Sequence, residues 1–271
     1  MHLRRRGSGG RVPAPADRAP SRGGGVNAAL RTEAVKFLRS RAPLATAAAF
    51  LLPVLLACLF VTSDSAALSD KSEALGISPD WTGYRAALMQ VDAAGGFLLF
   101  GVLVTWMFGR EFSDRTALDL LALPTSRTAI VLAKFAVSTV WLFLLGVLQT
   151  AVWLAAGTLL DLPGGHGATP AALADLFLLL TLNIALTLPV AIIASAGRGY
   201  LPGVGATVAL LVAGVGVAAV GRAGWFPWAV PAALGGLTGT SSVPAIGLTV
   251  VAATAAAGIA ATALWWRLAD H

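Results

Sequence analysis

The sequence predicts an all-α integral membrane protein with six transmembrane helices. Hydrophobic residues make up 57% of the 271 residues and charged residues only 12%, whereas charged residues make up about a quarter of a soluble domain. Six apolar segments are each long enough to cross the roughly 30 Å hydrocarbon layer of a bilayer as a helix. Arg and Lys also concentrate on one side of these segments, as they do in multi-pass membrane proteins.

Residues 1–25 differ in composition from the rest of the chain. They contain Pro, Gly, Ser and Arg but almost no large apolar residue, and such a segment cannot bury enough apolar surface to fold. We therefore expect a disordered extension at 1–25 and a membrane domain at 26–271. A second hypothesis is that translation begins at Val26, which would leave the extension untranslated.

A first helix is predicted in AALRTEAVKFLRSR, just before the first span. Apolar residues recur there at helical spacing, and basic residues lie between them. The apolar positions are Leu30, Ala34, Phe37 and Leu38, and the basic positions are Arg31, Lys36, Arg39 and Arg41. This pattern is typical of an interfacial helix whose basic side chains meet anionic lipid headgroups.

Six spans follow along the chain. They are predicted at Pro43 to Thr62, Val91 to Phe108, Ala129 to Leu160, Ala171 to Ala196, Gly203 to Val220, and Ala245 to Leu264. The third segment is longer than one crossing requires, so we expect it to tilt or to project beyond the bilayer.

The basic residues orient these spans in the plasma membrane. With both termini in the cytoplasm, sixteen of the nineteen Arg and Lys residues lie on the inner side. Only Lys71, Arg85 and Arg222 lie outside, which is the asymmetry that the positive-inside rule describes. The basic pI is thereby explained by topology, and no nucleic-acid partner is expected. The outer loop at 63–90, including Ser72, is predicted to be accessible from outside.

Several kinds of chemistry are disfavoured. The central parts of the predicted spans lack Asp, Glu, His, Lys and Arg, the residues that mark proton relays and ion pathways. The three histidines, His2, His166 and His271, lie outside the spans and form no H-E-x-x-H pair. No Gly-Lys-Ser or Gly-Lys-Thr is present for a P-loop, so any ATP must bind to another chain.

The connection between the second and third spans, GREFSDRTALDLLALPTSRTAIVLAK, is unusually ordered for a loop. Its residues 110–123 predict a short helix along the cytoplasmic interface with one mainly apolar side. That side holds Phe112, Thr116, Leu120 and Leu123. Pro124 ends the helix, and Thr125 or Ser126 is placed to cap the next one. From the residues alone, a solvated loop whose charges fix the topology remains an equal alternative.

This connection resembles the E-F-x-x-G-T-x-x-x-L-L-x-x-P-x-S-R…K run of type-2 ATP-binding-cassette (ABC) permeases. The matching residues are Glu111, Phe112, Thr116, Leu120, Leu121, Pro124, Ser126, Arg127 and Lys134. Arg115 stands where the family usually has Gly. The resemblance implies a coupling helix on which a separate cytosolic ATPase docks.

The resemblance also implies the biochemical role. The chain would be a permease subunit of an ABC exporter and not itself an enzyme, and it would move a hydrophobic or peptide-like substrate. It would pair as a homodimer or as a heterodimer with a homologous permease in the lipid bilayer. No cofactor would bind to this chain, because ATP and Mg would bind to the partner ATPase. The ATPase-coupling residues would be Glu111, Phe112, Arg115, Thr116, Leu120, Pro124 and Arg127.

The segment GWFPWAVPAALGGLTGTSSVP, between the fifth and sixth spans, is broken by three prolines and several glycines. It is similar to the short re-entrant helices of the same family, and its FPWAVPA pattern resembles the bacitracin and lantibiotic self-protection branch. An ordinary outer loop is the alternative. Small residues in the spans, such as Gly214 and Gly216, would permit close helix contacts within one chain or between chains.

Two other classes of function stay open from the residues alone. A membrane-embedded enzyme would use Glu111, Asp114 and Asp119 as ligands of a divalent metal ion. Nearby arginines, which would pair with these carboxylates, and the absence of a Gly-rich phosphate-binding run count against it. A secondary carrier is a third interpretation, which the lack of charge in the central parts of the spans disfavours.

Overall fold

The structure, a computed structural model, describes residues 22–114, 126–164, 169–239, 243 and 245–268. All the regular elements in these ranges are helical. In chain order they are α1 (Arg22–Leu38), α2 (Ala42–Phe50), α3 (Leu52–Thr62), α4 (Ala66–Ala74), α5 (Trp81–Ser113), α6 (Arg127–Leu159), α7 (Pro170–Thr187), α8 (Val190–Ala196), α9 (Tyr200–Ala219), α10 (Val230–Leu234) and α11 (Ala245–Leu268). Helix α1 begins at Arg22, before the predicted end of the extension at residue 25, and residues 1–21 lie outside the described ranges.

Six helical stretches in these ranges are long and apolar enough to cross a bilayer, which confirms the predicted number. They are Ala42–Thr62, Trp81–Ser113, Arg127–Leu159, Pro170–Ala196, Tyr200–Ala219 and Ala245–Leu268. Helix α1 lies beside the carboxyl end of α5 and the amino end of α6, and this side of the bundle is here called the α1 end. Helix α4 lies at the opposite end.

The second spanning helix begins ten residues earlier than the sequence predicted, at Trp81 instead of Val91. Asp80 caps it, because one oxygen of its carboxylate accepts a hydrogen bond from the Gly83 amide at 2.8 Å. This bond, together with one from Ser78, lowers the pKa of Asp80. As a consequence Asp92, predicted near the start of the second span, lies well inside the observed helix.

Two of the spans are interrupted. The first breaks at Leu51 between α2 and α3, and the fourth breaks at Pro189 between α7 and α8, where proline lacks the amide needed to continue the helical hydrogen bonds. Helix α11 fits against this second break through Gly258, since a Cβ there would lie 2.6 Å from Pro189 Cα.

Helix α5 is the centre of the bundle. In its apolar window 61% of the residues are buried, compared with 22% in α9 and 28% in α11. Toward the α4 end it packs aromatic rings against α6, where Tyr84 and Trp153 stack with centroids 5.4 Å apart. Toward the α1 end, Phe100 stacks on Phe50 of α2 at 5.1 Å, and Phe108 packs on Phe135 of α6 at 4.8 Å.

The Pro-rich segment after α9 packs into the bundle. Pro227–Ala229 forms a 3-10 turn that leads into α10, and every residue of α10 is buried. The Trp228 indole donates a hydrogen bond to the Leu186 carbonyl at 3.2 Å. A Cβ on Gly235 would lie 2.5 Å from the Cβ of Ala93 in α5. The segment thus packs against α5 and α7, and its re-entrance into the bilayer stays a prediction.

Two glycines of α9 offer a matched test of close helix packing. A Cβ at Gly214 would lie 2.4 Å from the Trp228 carbonyl oxygen, whereas a Cβ at Gly216 would meet no atom within 4 Å. Gly214→Ala should therefore destabilise the fold by about 1–3 kcal/mol through overpacking, and Gly216→Ala should be neutral or slightly stabilising. Thermal unfolding of the two variants in detergent checks this, and equal stabilities would show that the contact with Trp228 does not constrain α9.

Candidate functional site at the ends of α5 and α6

The predicted coupling segment joins α5 to α6. Residues 110–113 form the last turn of α5, although the sequence predicted them to start a separate helix. Residues 115–125 lie outside the described ranges, and with them Arg115, Thr116, Leu120 and Pro124. Helix α6 then begins at Arg127, where the Ser126 hydroxyl accepts a hydrogen bond from the Ala129 amide at 3.2 Å, which confirms one of the two predicted caps. The structure therefore describes both attachments of the segment.

Glu111 does not lie on an exposed face of the segment. Its side chain is only 1% exposed, and Oε1 accepts hydrogen bonds from Lys134 Nζ at 2.7 Å and from Lys36 Nζ at 2.9 Å. Glu33 closes the arrangement, because its Oε2 lies 2.7 Å from Lys134 Nζ and its Oε1 lies 3.2 Å from Lys36 Nζ. These four residues form a closed ring of alternating charges, here called the charge ring.

The charge ring joins three helices. Glu33 and Lys36 lie in α1, Glu111 in the last turn of α5, and Lys134 in the second turn of α6. The Lys134 side chain is 1% exposed and that of Glu33 is 5% exposed, whereas Lys36 is 31% exposed and forms the solvent-facing corner. Two carboxylates balance two ammonium groups, so the buried site carries no net charge.

Lys36 stays charged at neutral pH. Burial lowers the pKa of its ammonium group, but the hydrogen bond from Lys36 to Glu111 and the negative charge of Glu33 outweigh this, so the pKa is raised above its usual 10.5. Because the pKa of Lys36 is higher in the folded than in the unfolded state, its charge stabilises the fold fully at a pH below the unfolded-state pKa. This contribution is lost as the pH rises through the folded-state pKa. The Lys36 corner of the charge ring therefore stays charged throughout the physiological pH range.

A second set of contacts fixes the same region from the side of α11. The Phe112 ring packs edge-on against Trp265 and Trp266, with centroids 5.9 and 5.7 Å away. Arg127 Nη1 donates a hydrogen bond to the Trp266 carbonyl at 3.3 Å. The Trp266 indole in turn donates to the Ser195 hydroxyl at 3.0 Å. Thus Phe112, which precedes residues 115–125, and Arg127, which follows them, both contact Trp266.

Sequence reasoning identified Glu111, Phe112, Arg127 and Lys134 but missed the residues that hold them. The sequence analysis places Lys36 among the basic residues that meet lipid headgroups and gives Glu33 no role, whereas the Lys36 ammonium group binds Glu33 and Glu111. One signal was available: Lys134 lies within the apolar run AIVLAKFAV, and a lysine in such surroundings needs a carboxylate partner.

The alternative of a metal-dependent enzyme finds little support in this geometry. Two ammonium groups already occupy the Glu111 carboxylate, and Asp114 is exposed at the end of α5. Asp119 lies outside the described residues. Within the described part of the chain, no group of three or more His, Cys, Asp or Glu side chains is placed to hold a metal ion.

Comparison with known proteins decides the family. The sequence profile described as ABC-2 family transporter protein matches residues 29–214, which is more than half of the chain and includes all four members of the charge ring. The chain belongs to the ABC-2 family of transporters. It is therefore a multi-pass membrane protein of a transport family.

One curated relative of this ABC-2 protein is the bacitracin transport permease protein BCRB of Bacillus licheniformis. The two are 25% identical over 137 residues, which cover 49% of this chain and 64% of the relative. The similarity thus spans less than two thirds of the relative. No solved structure matches the chain.

The charge ring makes a prediction about stability. Lys134→Met leaves two buried carboxylates facing one ammonium group and should cost about 3–5 kcal/mol. The double variant Glu111→Gln/Lys134→Met leaves Glu33 and Lys36 as a neutral pair and should recover part of that loss. The measurement is unfolding of the purified variants in mixed detergent and SDS micelles.

An exposed ion pair provides the control. Arg85 and Asp175 lie 2.8 Å apart near the α4 end with side chains 33% and 44% exposed, and such pairs contribute at most about 1 kcal/mol. Arg85→Met should therefore have little effect. If Arg85→Met and Lys134→Met have similar effects, the charge ring is not a buried, coupled unit.

Proposed function

We propose that this ABC-2 protein is the membrane permease subunit of an ATP-driven exporter that moves a hydrophobic or peptide-like substrate. Membership of the family supports a transport role, and the similarity to a protein named as a bacitracin transport permease supports the substrate class. ATP and Mg bind to a separate cytosolic ATPase, which docks on the segment between α5 and α6.

The observation that carries the coupling proposal is the way in which this segment is attached. Glu111 and Lys134 lie on either side of it in the chain and bind each other in the charge ring. Phe112 and Arg127 also lie on either side and contact the same residue, Trp266. A force applied to residues 115–125 is therefore delivered to one packed unit that contains α1, α5, α6 and α11.

This attachment divides the predicted coupling residues into two groups with different roles. Glu111, Phe112 and Arg127 anchor the segment through contacts inside the chain. Arg115, Thr116, Leu120 and Pro124 form the part that meets the ATPase, with Leu120 entering an apolar groove as amphipathic helices do in such complexes. Substitutions in the second group therefore separate ATPase binding from folding.

The α1 end faces the cytoplasm in this proposal. The basic residues at that end, among them Arg31, Arg39, Arg41 and Arg110, give the asymmetry expected for an inner surface. Two permease chains, identical or homologous, pair in the bilayer and bind two ATPase subunits. The weakly buried helices α9 and α11 offer apolar surfaces for this pairing.

If the segment between α5 and α6 binds the ATPase, substitutions within it should weaken ATPase binding. Leu120→Ala and Arg115→Ala should each weaken binding of an ABC ATPase from the same source at least tenfold, about 1.4 kcal/mol, and should lower substrate-stimulated ATP hydrolysis, while thermal stability stays unchanged. The measurements are co-purification and hydrolysis with the permease in lipid nanodiscs.

Matched controls lie at the α4 end. Leu159 is 86% exposed and Lys71 is exposed on α4, so Leu159→Ala and Lys71→Ala remove the same kinds of side chain far from the segment. Both controls should bind the ATPase normally. Normal binding and hydrolysis by the Leu120 and Arg115 variants would show that the segment is only a charged loop.

The orientation has its own test. Ser72, the position first predicted to be accessible, is 8% exposed and donates a hydrogen bond to the Phe60 carbonyl, so the exposed Ser69 on the same helix replaces it. In a Cys58→Ser background, Ser69→Cys should react with an impermeant maleimide in intact cells, and Asp114→Cys should react only after permeabilisation. The reverse pattern would contradict the proposed orientation.

A further inference from the structure

Three polar side chains meet inside the bundle, far from the charge ring. Asp92 lies in α5, Gln149 in α6 and Asn183 in α7, and their side chains are 9%, 5% and 2% exposed. Asp92 is eleven residues into α5, which places it roughly 16 Å along the helix from Trp81 at a rise of about 1.5 Å per residue. The cluster therefore lies at spanning depth, where ionisable residues are rare and mark functional sites.

The hydrogen bonds of the cluster leave oxygen acceptors unused. Gln149 donates from Nε2 to one Asp92 carboxylate oxygen at 3.0 Å, and Asn183 donates from Nδ2 to the Asp92 carbonyl at 3.0 Å. These bonds fix which end of each amide is oxygen. Asn183 Oδ1 is buried with no hydrogen-bond partner, and the second Asp92 carboxylate oxygen has none among the described residues.

Asp92, Gln149 and Asn183 line a small cavity of about 20 Å³ together with Gly96 and Thr150. Such a volume holds one water molecule or one small ion, and no larger ligand. Gly96 brings the helices close, because a Cβ there would lie 2.9 Å from Asn183 Nδ2. The absence of a side chain at Gly96 therefore lets the Asn183 amide pack directly against α5.

The Asp92 carboxylate also lacks a cationic partner in the described part of the chain. No Arg, Lys or His side chain in the described ranges forms an ion pair with Asp92, and the nearby Arg85 is paired with Asp175. A buried carboxylate without a counter-charge is strongly unfavourable. One positive charge, small enough for the cavity and able to bind oxygen atoms, would balance the carboxylate and satisfy Asn183 Oδ1 at the same time.

We propose that Asp92, Gln149 and Asn183 form a binding site for one small monovalent cation, of the size of Na⁺. The carboxylate supplies the single negative charge, Asn183 Oδ1 supplies a neutral oxygen ligand of the hard type that such ions prefer, and Gln149 holds the carboxylate through its hydrogen bond. The bound ion ties α5, α6 and α7 together. The site is independent of the ATPase-coupling segment and requires no ATPase.

The test uses the purified chain in lipid nanodiscs without an ATPase. Sodium chloride should raise Tm by about 2–4 °C over N-methylglucamine chloride at equal ionic strength, and potassium chloride should raise it less because the cavity is small. Radioactive ²²Na⁺ should bind at one ion per chain. Asp92→Asn and Asn183→Leu should each abolish both effects.

Asp175→Asn is the matched control, since it removes an aspartate charge from the exposed pair with Arg85 and should keep the full sodium response. If Asp92→Asn does not fold, Asn183→Leu, which leaves the carboxylate in place, still decides the ²²Na⁺ measurement. Three outcomes overturn the proposal: no sodium effect in the wild type, sodium binding that survives Asn183→Leu, or a wild-type Tm that responds to pH through Asp92 but not to sodium.

Discussion

The arrangement of this bundle depends on the neutralisation of charge in surroundings that water does not reach. Lys134 is 1% exposed within an apolar stretch of α6, and an unpaired ammonium group there would cost several kcal/mol. Glu111 supplies one carboxylate partner for Lys134, and Glu33 of α1 supplies the second. Lys36 of the same helix also forms an ion pair with Glu111. Ion pairs therefore fix the position of α1 on the bundle in addition to apolar packing.

Helix α5 extends from the charge ring toward the α4 end and packs closely against its neighbours. Small residues let its neighbours approach: a Cβ on Gly101 would lie 2.3 Å from a Thr207 methyl group, and a Cβ on Gly109 would lie 2.9 Å from the Gly199 carbonyl. Helix α5 therefore packs closely against α9 and the turn before α9. Glu111 joins the carboxyl end of α5 to α1 and α6. Few residues of α5 remain to face lipid, which explains why this spanning helix is the most deeply buried.

Hydropathy and helical spacing were enough to predict the all-α class and the six spans, since both depend on residues that are neighbours in the chain. The start of α5 was missed because Arg85, Gln90 and Asp92 lower the local hydropathy, although each forms a hydrogen bond with a residue distant in the sequence. The charge ring was missed for a related reason. Lys36 and Glu111 are 75 residues apart and Glu33 and Lys134 are 101 apart, and no local pattern reports that such residues meet. Family resemblance identified Glu111 and Lys134 without indicating that they bind each other.

The two ways in which spans are built here have different mechanical consequences. Helix α5 runs without a break from Trp81 to Ser113, so Glu111 and Asp92 are joined by roughly 28 Å of continuous helix. A displacement at the charge ring is therefore transmitted along α5 as a shift or rotation of the whole element. The fourth span, by contrast, bends at Pro189, where α11 packs through Gly258. Asn183 lies on one side of that bend and contacts α5, and Ser195, the partner of Trp266 in α11, lies on the other, so different helices hold the two halves of this span.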